Sequence, residues 1–281
     1  MSYKTILVHA DESRHALQRF ELAASIALEQ GAHLVGVAAT AVPGTFYLPE
    51  MLGESAMTLT AYLEYLRQRA QDVLAQFEST ARQAGVPSFE ARIVEDEAAG
   101  GLCLQARYAD LVVIGQTDPD ESLPALRVGF PEYVALNAGR PVLVVPYAGR
   151  FESVGRRVML AWDASMEASR AVAGALPFLR RAELVQVAVF DPGSRGAAHG
   201  EQPGADIALY LARHGVAVEV SQQVTAERID TGNALLSAAA DFNADMLVMG
   251  CYGHSRLREV LLGGVSHTIF RSMTLPTLMG H

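Results

Sequence analysis

The sequence predicts an α/β fold made of two tandem, doubly wound domains, each an open parallel sheet of five strands. Three observations predict this class. The chain repeats itself once, strand-like and helix-like segments alternate, and the strand-like segments are unbroken runs of Val, Ile, Leu and Met. Alternating strands and helices are typical of βαβ units. Unbroken apolar strands indicate a sheet that helices cover on both faces.

The first copy supplies its elements in alternating order. It opens with the apolar strand 4–10, and an amphipathic helix is predicted over 16–30 with Ser13 near its N-cap. The segment 43–60 follows the second strand and is predicted to be a solvent loop. The other strands that can be located are 33–39, 109–115 and the proline-led 141–146.

The second copy repeats this order. Its first strand begins at Arg157, and the following helix is predicted over 165–180 with Ser165 near its N-cap. The Gly-rich segment 192–204 is again predicted to be a solvent loop. The pattern breaks near 147–155, which predicts domains over 1–148 and 155–281. The other strands that can be located are 183–190, 244–250 and the proline-led 276–279.

Composition and charge disfavour several classes of protein. The formal net charge of −9 and the lack of a Lys/Arg block argue against nucleic-acid and anionic-membrane partners. The apolar runs are strand-sized, far below the roughly 20 residues that cross a bilayer, and the N-terminus lacks a signal-peptide pattern. Two cysteines without metal or disulfide spacing are expected to be buried thiols in a cytoplasmic protein.

Glycines cluster after the strand that closes at Gly250. Gly253, Gly263 and Gly264 follow, and a helix is then predicted through Phe270. Glycines allow close backbone approach, exposed N–H groups form an anion nest, and a helix N-terminus adds its dipole. The segment therefore suits a phosphate chain. Its Arg256 either assists at the phosphates or is a solvated loop residue.

This spacing resembles that of the universal stress protein family, whose ATP-binding members carry Gly, two residues, Gly, nine residues, Gly, then Ser or Thr. Gly250, Gly253 and Gly263 match the pattern. Gly264 stands where the family has a hydroxyl residue, so one side-chain contact is lost, while backbone donors and the nearby Ser266 remain. The resemblance covers nearly the whole chain and implies a Rossmann-like fold of the adenine nucleotide alpha-hydrolase type.

Position by position, the resemblance places Asp163 at the adenine or ribose, the main chain of Val189 at the adenine edge and Met249 beside the ribose. The alternative for Asp163 is a cap of the strand-to-helix turn, and Trp162 either stacks on a base or lies in the core. The implied ligand is ATP or a related adenine nucleotide, alone or with Mg²⁺, bound with little or no turnover. The residues expected to bind it are Ala161, Trp162, Asp163, Val189, Met249, Gly250, Gly253, Arg256, Gly263, Gly264, Val265 and Ser266.

The first copy departs from this pattern. Asp118 replaces the second glycine, and Asp120 and Glu121 add further acids that are expected to repel a triphosphate. Ten residues, not nine, separate Asp118 from Gly129. The first copy is therefore expected to have lost the nucleotide site and to serve a structural, partner-binding or different ligand role.

Other functional classes remain open. The Gly264 substitution and the altered first copy are compatible with a protein-interaction scaffold that binds no nucleotide. An ATP-hydrolysing or adenylating enzyme is disfavoured, because the loops after both first strands lack the Ser-Gly-Gly pattern of ATP pyrophosphatases. The histidines form no His-x-x-x-His pair that would favour zinc.

Assembly is predicted from the family, which commonly dimerises through its last strand. The segments 141–146 and 276–279 are therefore expected to pair in an intramolecular pseudo-dimer, with a homodimer of two chains left open. Such pairing protects sheet edges that would otherwise be exposed.

Overall fold

Strands and helices alternate along the chain in the computed structural model, which describes residues 2–40, 56–121, 129–192, 202–225, 230–252 and 264–281. The strands are β1 (Thr5–His9), β2 (His33–Ala39), β3 (Phe89–Val94), β4 (Leu111–Gly115), β5 (Val142–Val145), β6 (Arg157–Ala161), β7 (Leu184–Phe190), β8 (Val218–Gln223), β9 (Met246–Gly250) and β10 (Thr277–Gly280). The helices are α1 (Ala16–Gln30), α2 (Ala56–Gln83), α3 (Ala98–Ala106), α4 (Phe130–Asn137), α5 (Met166–Leu179), α6 (Ala205–Arg213), α7 (Thr231–Asp241) and α8 (Val265–Ser272).

The contacts divide the chain into a first unit, 2–139, and a second unit, 140–281. In the first unit, four parallel strands follow the order β3-β2-β1-β4, with Leu7 opposite both Val35 and Val112. The chain reverses direction across the sheet after β3. Right-handed crossovers then place α3 on the face opposite α1 and α2. The sheet is therefore doubly wound, as predicted.

The second unit has the strand order β5-β10-β9-β6-β7-β8. All neighbours are parallel except β5 and β10, which run antiparallel with Val144 opposite Thr277. The predicted pairing of the two closing strands is thus observed. Because of it, β5 belongs to the second unit, whereas the sequence repeat predicts it as the end of the first domain.

The core consists of the central strands and the helix faces that cover them. Phe20 and Phe77 pack edge to face, with ring centroids 5.6 Å apart. Both cysteines, Cys103 and Cys251, are buried thiols, as predicted. The buried Arg19 is a charged exception: it is 2% exposed, and its Nη2 donates to Asp11 Oδ1 over 2.7 Å.

The helix starts agree with the sequence, whereas one loop boundary does not. Ser165 caps α5. The N-cap of α1 is His15, and its amide donates a hydrogen bond to the Ser13 hydroxyl, so Ser13 lies near the cap as predicted. The predicted loop 43–60 ends earlier than expected because α2 begins at Ala56, and 41–55 lies outside the described residues. Of the second predicted loop, 193–201 also lies outside them.

Candidate functional site

A cavity of about 130 Å³ lies at the carboxyl ends of β6, β7 and β9. The first turns of α7 and α8 also line it. This edge is where open parallel sheets bind ligands, because the strand order reverses there. The lining residues are Ala161, Trp162, Asp163, Ser165, Ala188, Phe190, Thr231, Leu235, Met249, Gly250, Tyr252, Val265 and Ser266.

The fold brings seven of the predicted site residues to this cavity. They come from three separate parts of the second copy, so strand order and not sequence proximity gathers them. Two others, Val189 and Gly264, are described but do not line the cavity, and Gly253, Arg256 and Gly263 lie outside the described residues. The seven are Ala161, Trp162, Asp163, Met249, Gly250, Val265 and Ser266.

The side chain of Val189 lies on the other face of the sheet. It is fully buried, and a Cβ placed on Gly204 would lie 3.1 Å from its Cγ2. Gly204 is the N-cap of α6, so Val189 packs under that helix. Because side chains alternate along a strand, its neighbours Ala188 and Phe190 face the cavity instead. Only the main chain of Val189 is left for the predicted contact.

Asp163 lies in the turn that joins β6 to α5. Its Oδ1 accepts a hydrogen bond from the Ser165 amide over 3.0 Å, and the Ser165 hydroxyl in turn accepts one from the Ala168 amide over 3.1 Å. Ser165 is therefore the helix cap, while Asp163 holds the turn. A carboxylate offers about four acceptor positions, so this bond leaves the predicted ligand role of Asp163 possible.

Trp162 is half-buried and lines the cavity. The expectation of a tryptophan buried in the core is therefore wrong. Its amide donates to the carbonyl of Ala188 over 2.9 Å, which extends the β6–β7 ladder by one residue. The backbone at Trp162 is held by the sheet, and the indole is left at the cavity.

The chain leaves β9 through a fixed turn. Tyr252 has a left-handed backbone, with φ of 56°, and its amide donates to the buried Ser266 hydroxyl over 3.1 Å. Its ring stacks on Phe270 with centroids 6.3 Å apart. Ser266 is in the first turn of α8, so these contacts tie the end of β9 to the start of that helix.

The N-terminus of α8 suits an anion. The helix begins after Gly264, which provides no side-chain cap, and its first turn contains no acidic residue. The unpaired N–H groups of a first turn carry partial positive charge and favour negative ligands. The predicted phosphate position is thus supported electrostatically by the described part of the loop.

The corresponding edge of the first unit contains a larger cavity, of about 360 Å³, and differs in charge. The helix that corresponds to α8 is α4. It begins after Gly129, has Glu132 in its first turn and has Pro131 in place of Ser266. An acid in that turn offsets the partial positive charge of the helix N-terminus.

Asp118 is held by a polar network beside the start of α1. Its buried carboxylate accepts hydrogen bonds from Arg14, from the Asp120 amide over 2.9 Å, and contacts His15 Nε2 at 2.8 Å. Burial raises the pKa of this carboxyl, but the hydrogen bonds from His15, Asp120 and Arg14 outweigh burial and lower the pKa to about 2. Its charge is compensated internally, so the expected repulsion of a triphosphate by Asp118 is weaker than the sequence suggested.

The spacing difference between the copies also disappears in the structure. Gly129 and Gly264 both precede the first residue of the corresponding helices. Aligned on these caps, Asp118 to Gly129 and Gly253 to Gly264 each enclose ten residues, 119–128 and 254–263. The first copy therefore differs from the second in side chains, not in loop length.

Several residues that line the cavity were not among those predicted from the sequence. Phe190 was detectable from the period of two along β7, which places it on the face opposite Val189. Thr231 and Leu235 lie in the first two turns of α7, which contains no ligand-binding motif. Tyr252 lies inside the glycine pattern at a position that the pattern leaves unspecified.

The described residues contain no group of three or more His, Cys, Asp or Glu side chains arranged to hold a metal ion. None of the described helices combines the length and apolar composition that a bilayer crossing requires.

Comparison with known proteins gives one family. A model of the universal stress protein family matches residues 2–146 and 155–281. A universal stress protein of Synechocystis sp. is 24% identical over 299 aligned positions, which cover 98% of this chain and 99% of that protein. A solved universal stress protein from Archaeoglobus fulgidus DSM 4304 has a TM-score of 0.74 at 17% identity, covering 98% of this chain and 96% of that one. The latter likeness shows a shared α/β fold over the full chain.

Two further solved structures are universal stress proteins with bound adenine nucleotides. One, in complex with cAMP, is 24% identical and covers 52% of this chain and 98% of its own. The other, from Archaeoglobus fulgidus in complex with dAMP, is 20% identical and covers 51% of this chain and 98% of its own. Their TM-scores of 0.37 and 0.34 are too low to transfer those ligands to this chain.

Proposed function

The chain belongs to the universal stress protein family, and we propose that its second unit binds ATP or a related adenine nucleotide with little or no turnover. One observation carries this proposal: three strand ends and the start of α8, which has no side-chain cap among the described residues, meet at one cavity that both Asp163 and Ser266 line. In this proposal the protein is a cytoplasmic nucleotide-binding module that acts in stress response or signalling.

The size of the cavity indicates which part of a nucleotide it would hold. Its volume of about 130 Å³ is below the roughly 300–1,000 Å³ of typical ligand pockets. It therefore suits the base or the sugar, with the phosphates toward α8. Trp162 and Phe190 supply aromatic surface, and Asp163 supplies an acceptor for ribose hydroxyls or an exocyclic amine.

The hydroxyl groups at the cavity have structural partners. Ser165 accepts a hydrogen bond from the Ala168 amide, and Ser266 accepts one from the Tyr252 amide. In the described hydrogen bonds neither hydroxyl contacts a general base, and activated serine nucleophiles require one. The described lining residues thus favour binding over hydrolysis, with any Mg²⁺ carried in by the nucleotide.

Isothermal titration of the full chain with ATP, with and without Mg²⁺, tests this proposal. We expect one site per chain, and the replacement Asp163→Asn should weaken ATP binding by about tenfold, the effect of one hydrogen bond to a charged acceptor. The matched control is Asp241→Asn, because Asp241 is an exposed acid at the end of α7 and away from the cavity. Wild-type protein that neither binds ATP nor co-purifies with a nucleotide would favour the scaffold alternative.

A further inference from the structure

The cavity of the first unit has the size of a complete ligand site. Its volume of about 360 Å³ falls within the range of roughly 300–1,000 Å³ for small-molecule pockets. It lies at the ends of β1 and β2, between α2 and the first turns of α3 and α4. Its walls are largely apolar and include Ala38, Ala39, Leu66, Ala70 and Val73.

Two aromatic rings face this cavity. The Phe130 ring is fixed against the His9 imidazole, with centroids 4.6 Å apart, and Tyr133 is 47% exposed at the same helix. Aromatic faces attract cations and stack on flat ligands. The aromatic wall therefore suits a planar ligand, a cationic one in particular.

Three carboxylates line the cavity, and two of them have a cation of their own. Asp11 pairs with the buried Arg19 over 2.7 Å, and Glu12 pairs with Arg69. Glu97 caps α3 by accepting a hydrogen bond from the Ala99 amide over 3.0 Å. Among the described residues, no ion pair joins Glu97 to a Lys, Arg or His side chain. One negative charge in the cavity lining thus lacks a counter-cation there.

The same edge is unfavourable for phosphate. Both helices that start at the cavity have an acid at their N-terminus, Glu97 at α3 and Glu132 at α4. These acids offset the helix dipoles that would attract an anion. The charges therefore favour a ligand of the opposite sign to the one proposed for the second unit.

We propose that the first unit binds a small organic cation with a flat, apolar body, of the aromatic amidine or amine class. The ring of the ligand lies against Phe130 and the apolar wall, and its cationic nitrogen donates to Glu97. This site is independent of the nucleotide site proposed for the second unit. It gives the first copy a ligand role of its own.

Three probes of one shape and different charge test the proposal: benzamidinium, neutral benzamide and anionic benzoate. Each is titrated into the full-length chain and followed by amide shifts in two-dimensional ¹H–¹⁵N spectra. We expect benzamidinium to bind at least about tenfold more tightly than benzamide, because one charge-assisted hydrogen bond contributes about that factor. Benzoate should bind least tightly of the three. The shifted amides should include those of Ala98, Ala99 and Phe130.

The variant Glu97→Gln removes the charge and keeps the length of the side chain. It should lower benzamidinium affinity by about tenfold, leaving that of benzamide unchanged. The matched control is Glu64→Gln, since Glu64 is exposed on α2 and does not line the cavity. If Glu97→Gln fails to fold, the wild-type chain still tests the proposal. Its preference for benzamidinium over benzamide should decrease between about 0.01 M and about 1 M salt, because the Debye length falls from about 30 to about 3 Å.

Equal binding of the three probes, or shifts confined to the second unit, would overturn the proposal. So would a loss of benzamidinium binding in Asp163→Asn but not in Glu97→Gln. These outcomes are distinct from failure of the nucleotide proposal, because ATP binding is expected to depend on Asp163 and to be unchanged in Glu97→Gln.

Discussion

Single side chains account for much of the difference between the two copies. Arg14 and His15 precede α1 and hold Asp118, whereas Met166 and Glu167 occupy the corresponding positions at α5. At this edge the first unit thus contains an anion of its own, the Asp118 carboxylate, which is paired with Arg14 and His15. The second unit is proposed to accept an anion from a ligand at the corresponding edge. The sequence showed the acid at Asp118 but not its partners, because Arg14 and His15 are about a hundred residues away and only the fold brings them together.

Asp118 should make the stability of the chain depend on acid. Its pKa in the folded chain is about 2, below the value of about 3.9 for an unfolded aspartate, so ionised Asp118 stabilises the fold above about pH 4. That contribution should disappear as the pH falls from about 4 to about 2. At neutral pH, Asp118→Asn should lower the free energy of unfolding by about 1–3 kcal/mol, because it places an amide beside Arg14 and His15.

Urea denaturation of the wild type and of Asp118→Asn, at a series of pH values, measures this difference. The two curves should converge toward pH 2. A constant difference over that range would mean that the ionised carboxylate is not what stabilises the network. Asp72→Asn is the control, since Asp72 is exposed on α2 and its described hydrogen bond is with Gln68.

Among the secondary-structure elements, the regular ones could be predicted and the irregular ones could not. The apolar periodicity of α1 predicts 16–30, the bounds that are observed, and the unbroken apolar run of β2 does the same for 33–39. Ser13 was predicted near the N-cap of α1, and it lies two residues before the cap, His15, whose amide donates to its hydroxyl. The start of α2 at Ala56 had no such sequence signal.

The first turn of the last helix in each copy carries a further difference. In α4 this turn contains Glu132, and the corresponding residue of α8 is the exposed His267. The variant His267→Glu should therefore weaken ATP binding by about two- to fivefold at low salt, because it offsets the partial charge at the helix start. It should leave adenosine binding unchanged. Folding should be unaffected or slightly favoured, since an acid stabilises a helix N-terminus.

Titrations of His267→Glu with ATP and with adenosine separate these effects, and His267→Gln is the neutral control. A matching loss for both ligands would place the effect at the base or the ribose. Unchanged ATP binding at low salt would show that the phosphates do not lie at the start of α8.

At the scale of the whole molecule, the repeat and the doubly wound parallel sheets could be predicted, but the partners of the edge strands could not be derived from periodicity. The closing strands were expected to pair because of the family resemblance, and β5 and β10 do so. The predicted limits of the domains, 148 and 155, follow the repeat, whereas the contacts separate 139 from 140. Long-range pairing decides that division, and no local pattern in the sequence reports it.

A disulfide between β5 and β10 can test their pairing in the intact chain. The same test distinguishes pairing within one chain, as in the pseudo-dimer, from pairing between two chains, as in a homodimer. Leu143 lies directly opposite Leu278, and opposed residues of antiparallel strands are about 4.5–5.5 Å apart at Cα, within the range for a disulfide. The double variant Leu143→Cys, Leu278→Cys should therefore oxidise to a disulfide within one chain, detected by mass and on a non-reducing gel. The control, Val142→Cys with Leu278→Cys, shifts one residue and should oxidise poorly, because its side chains face opposite sides of the sheet. Covalent dimers instead of linked monomers would mean that the closing strands pair between chains.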